Sequence, residues 1–168
     1  MGHRANYVII RDGEAKAFED QWGAMGAIYA FADGPEIAAK LAEGEADATS
    51  ELMDWAFAEG GYLIDFDRKR AISFGMPMMG DVFDFSEESD ESGNEGVAEA
   101  AALDDALENG SLEFLKLIAP KWPGWLLCWN DRGVDAFADY LRQQGHTNIT
   151  CQKPDADPED PDIAEWQA

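Results

Sequence analysis

Carboxylates are the groups of this 168-residue sequence most capable of chemistry, and several stand in pairs: Asp65/Asp67, Asp81/Asp84 and Asp104/Asp105. Each pair has a spacing suited to general acid–base work or to a hard divalent cation. Asp65 and Asp67 are two apart, so on a strand both project from one face. With 35 acidic residues in the chain such pairs arise readily, and the plainer reading of Asp65/Asp67 is an exposed strand edge followed by a solvated turn. Only His3 and His146 offer imidazoles. His146 follows the helix-ending Gly145, so a Cys128/His146 couple needs a turn to bring nucleophile and base together. The sequence contains no GxSxG, HExxH, EF-hand loop or phosphate-binding glycine loop, and no CxxC or Cys/His cluster. No catalytic residue, metal ligand or cofactor is therefore assigned.

Charge is the stronger signal. The formal net charge is −23, from 35 acids against 12 bases. A surface of this kind repels nucleic acid and anionic membranes and attracts basic proteins or cations. The chain is nevertheless 46% apolar, with nine Phe, six Trp and four Tyr, enough to build a core. Acidity peaks in Ser86–Asn109, where Glu87, Glu88, Asp90, Glu91, Glu95, Glu99, Asp104, Asp105 and Glu108 meet no base. That stretch admits three readings: a solvated linker, a cation site, or an electrostatic lure for a basic protein surface. The last accounts for acidity that persists throughout the chain. Aromatic residues supply desolvated anchors within a charged rim. Trp22, beside Gly23, is the exposed-anchor candidate, whereas Trp125, Leu127 and Trp129 share one strand face and read as core. Cys128 and Cys151 read as reduced, half-buried packing residues. The opening MGHRANYVII lacks the features of a signal peptide, and no run reaches membrane-spanning length, which places the expected location in the cytoplasm.

The elements that must position these groups follow from pattern and punctuation. Tyr7–Arg11, Asp12-Gly13 and Ala15–Trp22 spell a hairpin. Ala27–Ala32 fits either a short strand or a helical turn. A helix is expected from Asp33-Gly34-Pro35-Glu36 to about Glu43, and a second from Thr49-Ser50 through Leu52 and Trp55 to Gly60-Gly61. Tyr62–Phe66, a charged turn and Ala71–Phe74 make a second hairpin. Helices are expected over Val97–Leu107, Ser111–Ile118 and Val134–Gln144, with strands at Leu126–Trp129 and Thr147–Cys151. The sum is an α+β fold: a mainly antiparallel sheet built from two hairpins and a C-terminal strand–helix–strand, with helices packed on one side. Residues 1–152 form one domain carrying a mobile acidic loop at 86–96, and 153–168 form a loose acidic, Pro-rich tail.

The opening MGHRANYVIIRDGEAKAFEDQWGAMGAIYAF resembles the start of bacterial proteins of the kind found among immunity proteins to secreted toxins. Its carriers are the Arg4-Ala5-Asn6-Tyr7 entry to the hairpin and the Trp22-Gly23-Ala24 exit. The resemblance covers about the first thirty residues and implies a partner whose active site is blocked. It brings no functional residue with it. The expected function is a non-enzymatic, antitoxin-like inhibitor that docks on a basic protein, a cognate toxin acting on nucleic acid or nucleotides. Asp81, Asp84, Glu87, Glu88, Asp90, Glu91, Glu95 and Trp22 are its expected partner-binding residues. A small metal-dependent hydrolase using carboxylate pairs, or a housekeeping domain acidic for solubility alone, are the alternatives. The sequence leaves the oligomeric state open.

Overall fold

The backbone of Tyr7–Ile10 is buried on both faces, and this sets the architecture. A strand whose neighbouring side chains are all apolar must be covered from above and below. A computed structural model describes residues 4–53, 58–75, 101–151 and 161–168 of the chain. Its strands are β1 (Arg4–Arg11), β2 (Glu14–Asp20), β3 (Asp47–Thr49), β4 (Glu51–Leu52), β5 (Ala58–Asp65), β6 (Arg70–Phe74), β7 (Leu126–Asn130), β8 (Thr150–Cys151) and β9 (Ile163–Gln167). Its helices are α1 (Ala27–Ala32), α2 (Pro35–Glu45), α3 (described over 101–109), α4 (Ser111–Ile118) and α5 (Val134–Gln143).

Seven strands form one sheet in the order β3-β2-β1-β5-β6-β7-β9. The two expected hairpins, β1–β2 and β5–β6, are antiparallel, as are β2–β3 and β7–β9; β1–β5 and β6–β7 are parallel. The fold is α+β with a mostly antiparallel sheet. Asp12 and Gly13 form the first hairpin turn, with φ of 52° and 76°. Positive φ at both central positions is what a two-residue turn needs to follow the strand twist.

On one sheet face lie Tyr7, Ile9, Tyr62, Ile64, Leu127 and Trp129, packed under α1, α2 and α4, with the α3 side chains Leu103 and Leu107 at its margin. Trp125 and Trp129 are buried there, in keeping with their reading as core, and Trp122 is buried with them. The Trp122 indole N–H is satisfied by the Phe31 carbonyl at 2.9 Å. The opposite face carries Val8, Ile10, Leu63, Ile72 and Phe74, and α5 packs onto it through Val134, Phe137, Tyr140 and Leu141. Helices therefore occupy both sides of the sheet rather than one, because β1 and β5 are apolar on both.

Three segments differ from the sequence-based expectation. The helix expected from Thr49 is replaced at its start by β3 and β4. There the Thr49 hydroxyl accepts from the Glu51 N–H at 3.2 Å, a local turn that competes with a helical start. Leu52 is drawn fully into the second core. Gly60 and Gly61, expected to end that helix, lie inside β5; at Gly61, with φ of 152°, a Cβ would stand 1.9 Å from the Asn6 carbonyl oxygen. The expected last strand of the main sheet, β8, instead pairs with β4 in a separate two-stranded sheet. The end of the acidic tail supplies β9, whose pairing Leu127↔Trp166 places it at the sheet edge. Asp162, just before it, accepts from the Ser111 hydroxyl at 2.7 Å, and Lys116 lies over the Trp166 ring.

Candidate binding site

The first hairpin's open end carries acidic residues outward. Glu19 on β2 faces Asp47 on β3 in direct register. Like charges opposite one another across strands repel, and Arg4 is the one base in the concavity they share. Asp20 and Gln21 follow Glu19, and with Arg4 and Met53 these residues line a surface concavity of about 430 Å³. Trp22 follows Gln21 in the chain and is 57% exposed. Its backbone N–H is held by the Asp20 carboxylate at 2.9 Å. Fixing the backbone of an exposed indole lowers the entropy lost when a partner covers it.

The strand positions beneath are firmly set. Asn6 is fully buried; its amide donates to the Phe18 carbonyl at 3.1 Å, and its Oδ1 accepts from the Met53 N–H at 2.8 Å. Gly23 lies so close to Tyr7 that an added Cβ would stand 2.4 Å from the phenol oxygen, which itself donates to the Gly23 carbonyl at 3.3 Å. The Arg4-Ala5-Asn6-Tyr7 entry and the Trp22-Gly23-Ala24 exit are thus packed against each other, and that contact aims the chain at Trp22 outward. Asp81, Asp84, Glu87, Glu88, Asp90, Glu91 and Glu95 lie outside the described residues. The structure adds Glu19, Asp20 and Asp47 to Trp22. Their signal in sequence was faint, because Asp47 joins the group only through the β2–β3 pairing, which a helical reading of the following residues obscures.

The carboxylates with the best spacing for chemistry are engaged structurally. Asp65 is fully buried, not an exposed edge. Its Oδ1 accepts from the Asp67 and Arg68 amides at 3.0 and 3.2 Å, and its Oδ2 accepts from the Tyr140 hydroxyl at 2.5 Å. Asp67 reaches across to the other hairpin, where Oδ1 and Oδ2 accept from the Asp12 and Gly13 amides at 2.8 and 2.7 Å. The pair thus ties two hairpin tips and α5 together. Asp104 accepts from the Tyr29 hydroxyl at 2.6 Å. Burial and the nearby Glu165 push the Cys128 thiol up to about 11, so at neutral pH it is a thiol and not the thiolate that nucleophilic attack requires. Among the described residues no group of three or more His, Cys, Asp or Glu is placed to hold a metal ion, and no helix is long and apolar enough to cross a membrane.

Comparison with protein-family models, with curated proteins and with solved structures gives no match for this chain.

Proposed function

We propose that this protein is a non-enzymatic acidic binding protein, an immunity- or antitoxin-like inhibitor that docks on a basic protein partner and blocks its active site. The observation that carries the reading is the exposed Trp22, three residues after the Glu19 that opposes Asp47. An aromatic anchor close in the chain to a concavity with three carboxylates and one base, Arg4, suits a surface that is basic around an apolar pocket. A basic residue from the partner, set between Glu19 and Asp47, relieves their repulsion on binding. The net charge of −23 steers such a partner from a distance. An enzyme acting on nucleic acid or nucleotides fits best, since its site must already attract anions. The acids Asp81, Asp84, Glu87, Glu88, Asp90, Glu91 and Glu95 are proposed to stand in for phosphates in that cleft. Titration calorimetry against the product of the adjacent gene tests the proposal. A complex whose affinity falls steeply with salt and drops on Trp22→Ala supports it, and the lack of any complex with that product overturns the toxin assignment.

A further inference from the structure

The second sheet face is incompletely covered beyond α5. On β7, Leu127 and Trp129 are buried against the helices of the first face, while Leu126, Cys128 and Asn130 on the second are only half-buried. The result is a groove of about 240 Å³ between α5 and strands β6, β7 and β9, with Ile72, Leu126 and Cys128 as its floor and Ala136 on its helical wall. Arg70 stands at the β6 side and Glu165 at the β9 side. The Arg70 guanidinium makes no hydrogen bond or ion pair among the described residues, and Arg70 lines the groove with Ile72, Cys128 and Tyr140. Arg132, the other cation of the lining, is already neutralised by Asp139 at 2.8 Å.

We propose that this groove binds a small monocarboxylate, with its carboxylate on Arg70 and its hydrocarbon body along Ile72, Leu126 and Cys128. A guanidinium offers parallel N–H donors that match a carboxylate in a bidentate pair. The volume lies below the roughly 300–1,000 Å³ typical of drug-sized ligands, so the occupant is small. Two cations, Arg70 and Arg132, and two carboxylates, Asp139 and Glu165, give the lining no net charge; Asp139 is paired with Arg132, and Glu165 repels a second negative charge on the occupant, which disfavours phosphate esters and other polyanions. This site is independent of the acidic surface around Trp22.

Amide chemical-shift titrations of the full chain with sodium hexanoate, hexanol and sodium phosphate at matched ionic strength test the proposal. Hexanoate is expected to shift the amides of Arg70, Ile72, Cys128 and Ala136 saturably, while phosphate leaves them in place. Arg70→Gln is expected to weaken hexanoate by about two- to fivefold, the scale of a solvent-exposed ion pair. Glu165→Gln is expected to tighten it. Both side chains are on exposed residues, so the variants keep the fold, and an unchanged amide spectrum away from the groove verifies this. Equal shifts by hexanol and hexanoate, unmoved groove amides, or equal hexanoate affinity in Arg70→Gln and the parent protein would overturn the assignment.

Discussion

The Tyr140 hydroxyl donates to Asp65 Oδ2 at 2.5 Å, linking α5 to the end of β5 in a position sealed from water. This contact turns a carboxylate that looks reactive in sequence into a fastening between a helix and the sheet. Tyr140→Phe removes the donor and leaves a buried oxygen short of a partner. The expected cost is on the order of 2 kcal/mol, read as a lower denaturation midpoint in urea with an unchanged slope. Asp65→Asn keeps an acceptor for Tyr140 and should cost less than Asp65→Ala, which strands the phenol and two amides together.

The same phenol sets an alkaline limit. Burial raises the pKa of Tyr7, Tyr62 and Tyr140, and the hydrogen bond and charge of Asp65 add to the effect at Tyr140. A folded-state pKa above the unfolded value means that the stabilisation is complete below about pH 10, the ordinary tyrosine pKa, and is lost as the pH climbs from there toward the folded-state values. Stability should therefore fall once the pH exceeds about 10. Ultraviolet difference absorbance should show these three of the four tyrosines ionising only as the chain unfolds.

Asp67 clamps the Asp12-Gly13 turn from the tip of the second hairpin through two backbone amides. Its carboxylate is exposed, so solvent screening limits the energy, and the effect is local. Asp67→Ala should speed hydrogen exchange at the Asp12 and Gly13 amides while that at the β1–β5 centre barely changes. Equal exchange at the turn in both proteins would show that the clamp contributes nothing.

Gly61 marks the closest approach of β5 to β1. An alanine there meets the Asn6 carbonyl oxygen at 1.9 Å and must adopt a φ of 152°. Gly61→Ala should destabilise by on the order of 3 kcal/mol or more, because backbone and not a flexible side chain blocks the way. Gly44→Ala, with open space around the position, should be neutral or stabilising by comparison.

Much of this architecture is legible in local pattern. The Asp12-Gly13 turn, the Ser111–Ile118 helix and the stripe Phe137, Tyr140, Leu141 follow from periodicity and turn chemistry alone. The placement of α5 opposite the other helices is encoded less directly. Its sign is the unbroken apolar run Tyr7–Ile10, which reads as a generic strand until one asks what must cover each face. The strand pair at 47–52 loses its signal because Leu52 and Trp55 mimic helical spacing, whereas burial of Leu52 and the Thr49 turn decide the outcome. The burial of Asp65 is hidden for a similar reason: its partner Tyr140 lies 75 residues away, and no local rule reports such a contact. Trp22 is legible as an exposed anchor because Gly23 follows it, whereas the Glu19–Asp47 opposition depends on strand register.

The proposed binding surface is tested most directly by titration calorimetry of the chain with the product of its adjacent gene, at low and at high salt. Parent protein, Trp22→Ala and a variant neutralised at Glu87, Glu88, Asp90 and Glu91 are compared. The account predicts a stoichiometric complex that weakens steeply with salt, with affinity about tenfold lower or more in Trp22→Ala and a shallower salt dependence in the neutralised variant. A complex of unchanged affinity in both variants, insensitive to salt, would contradict it.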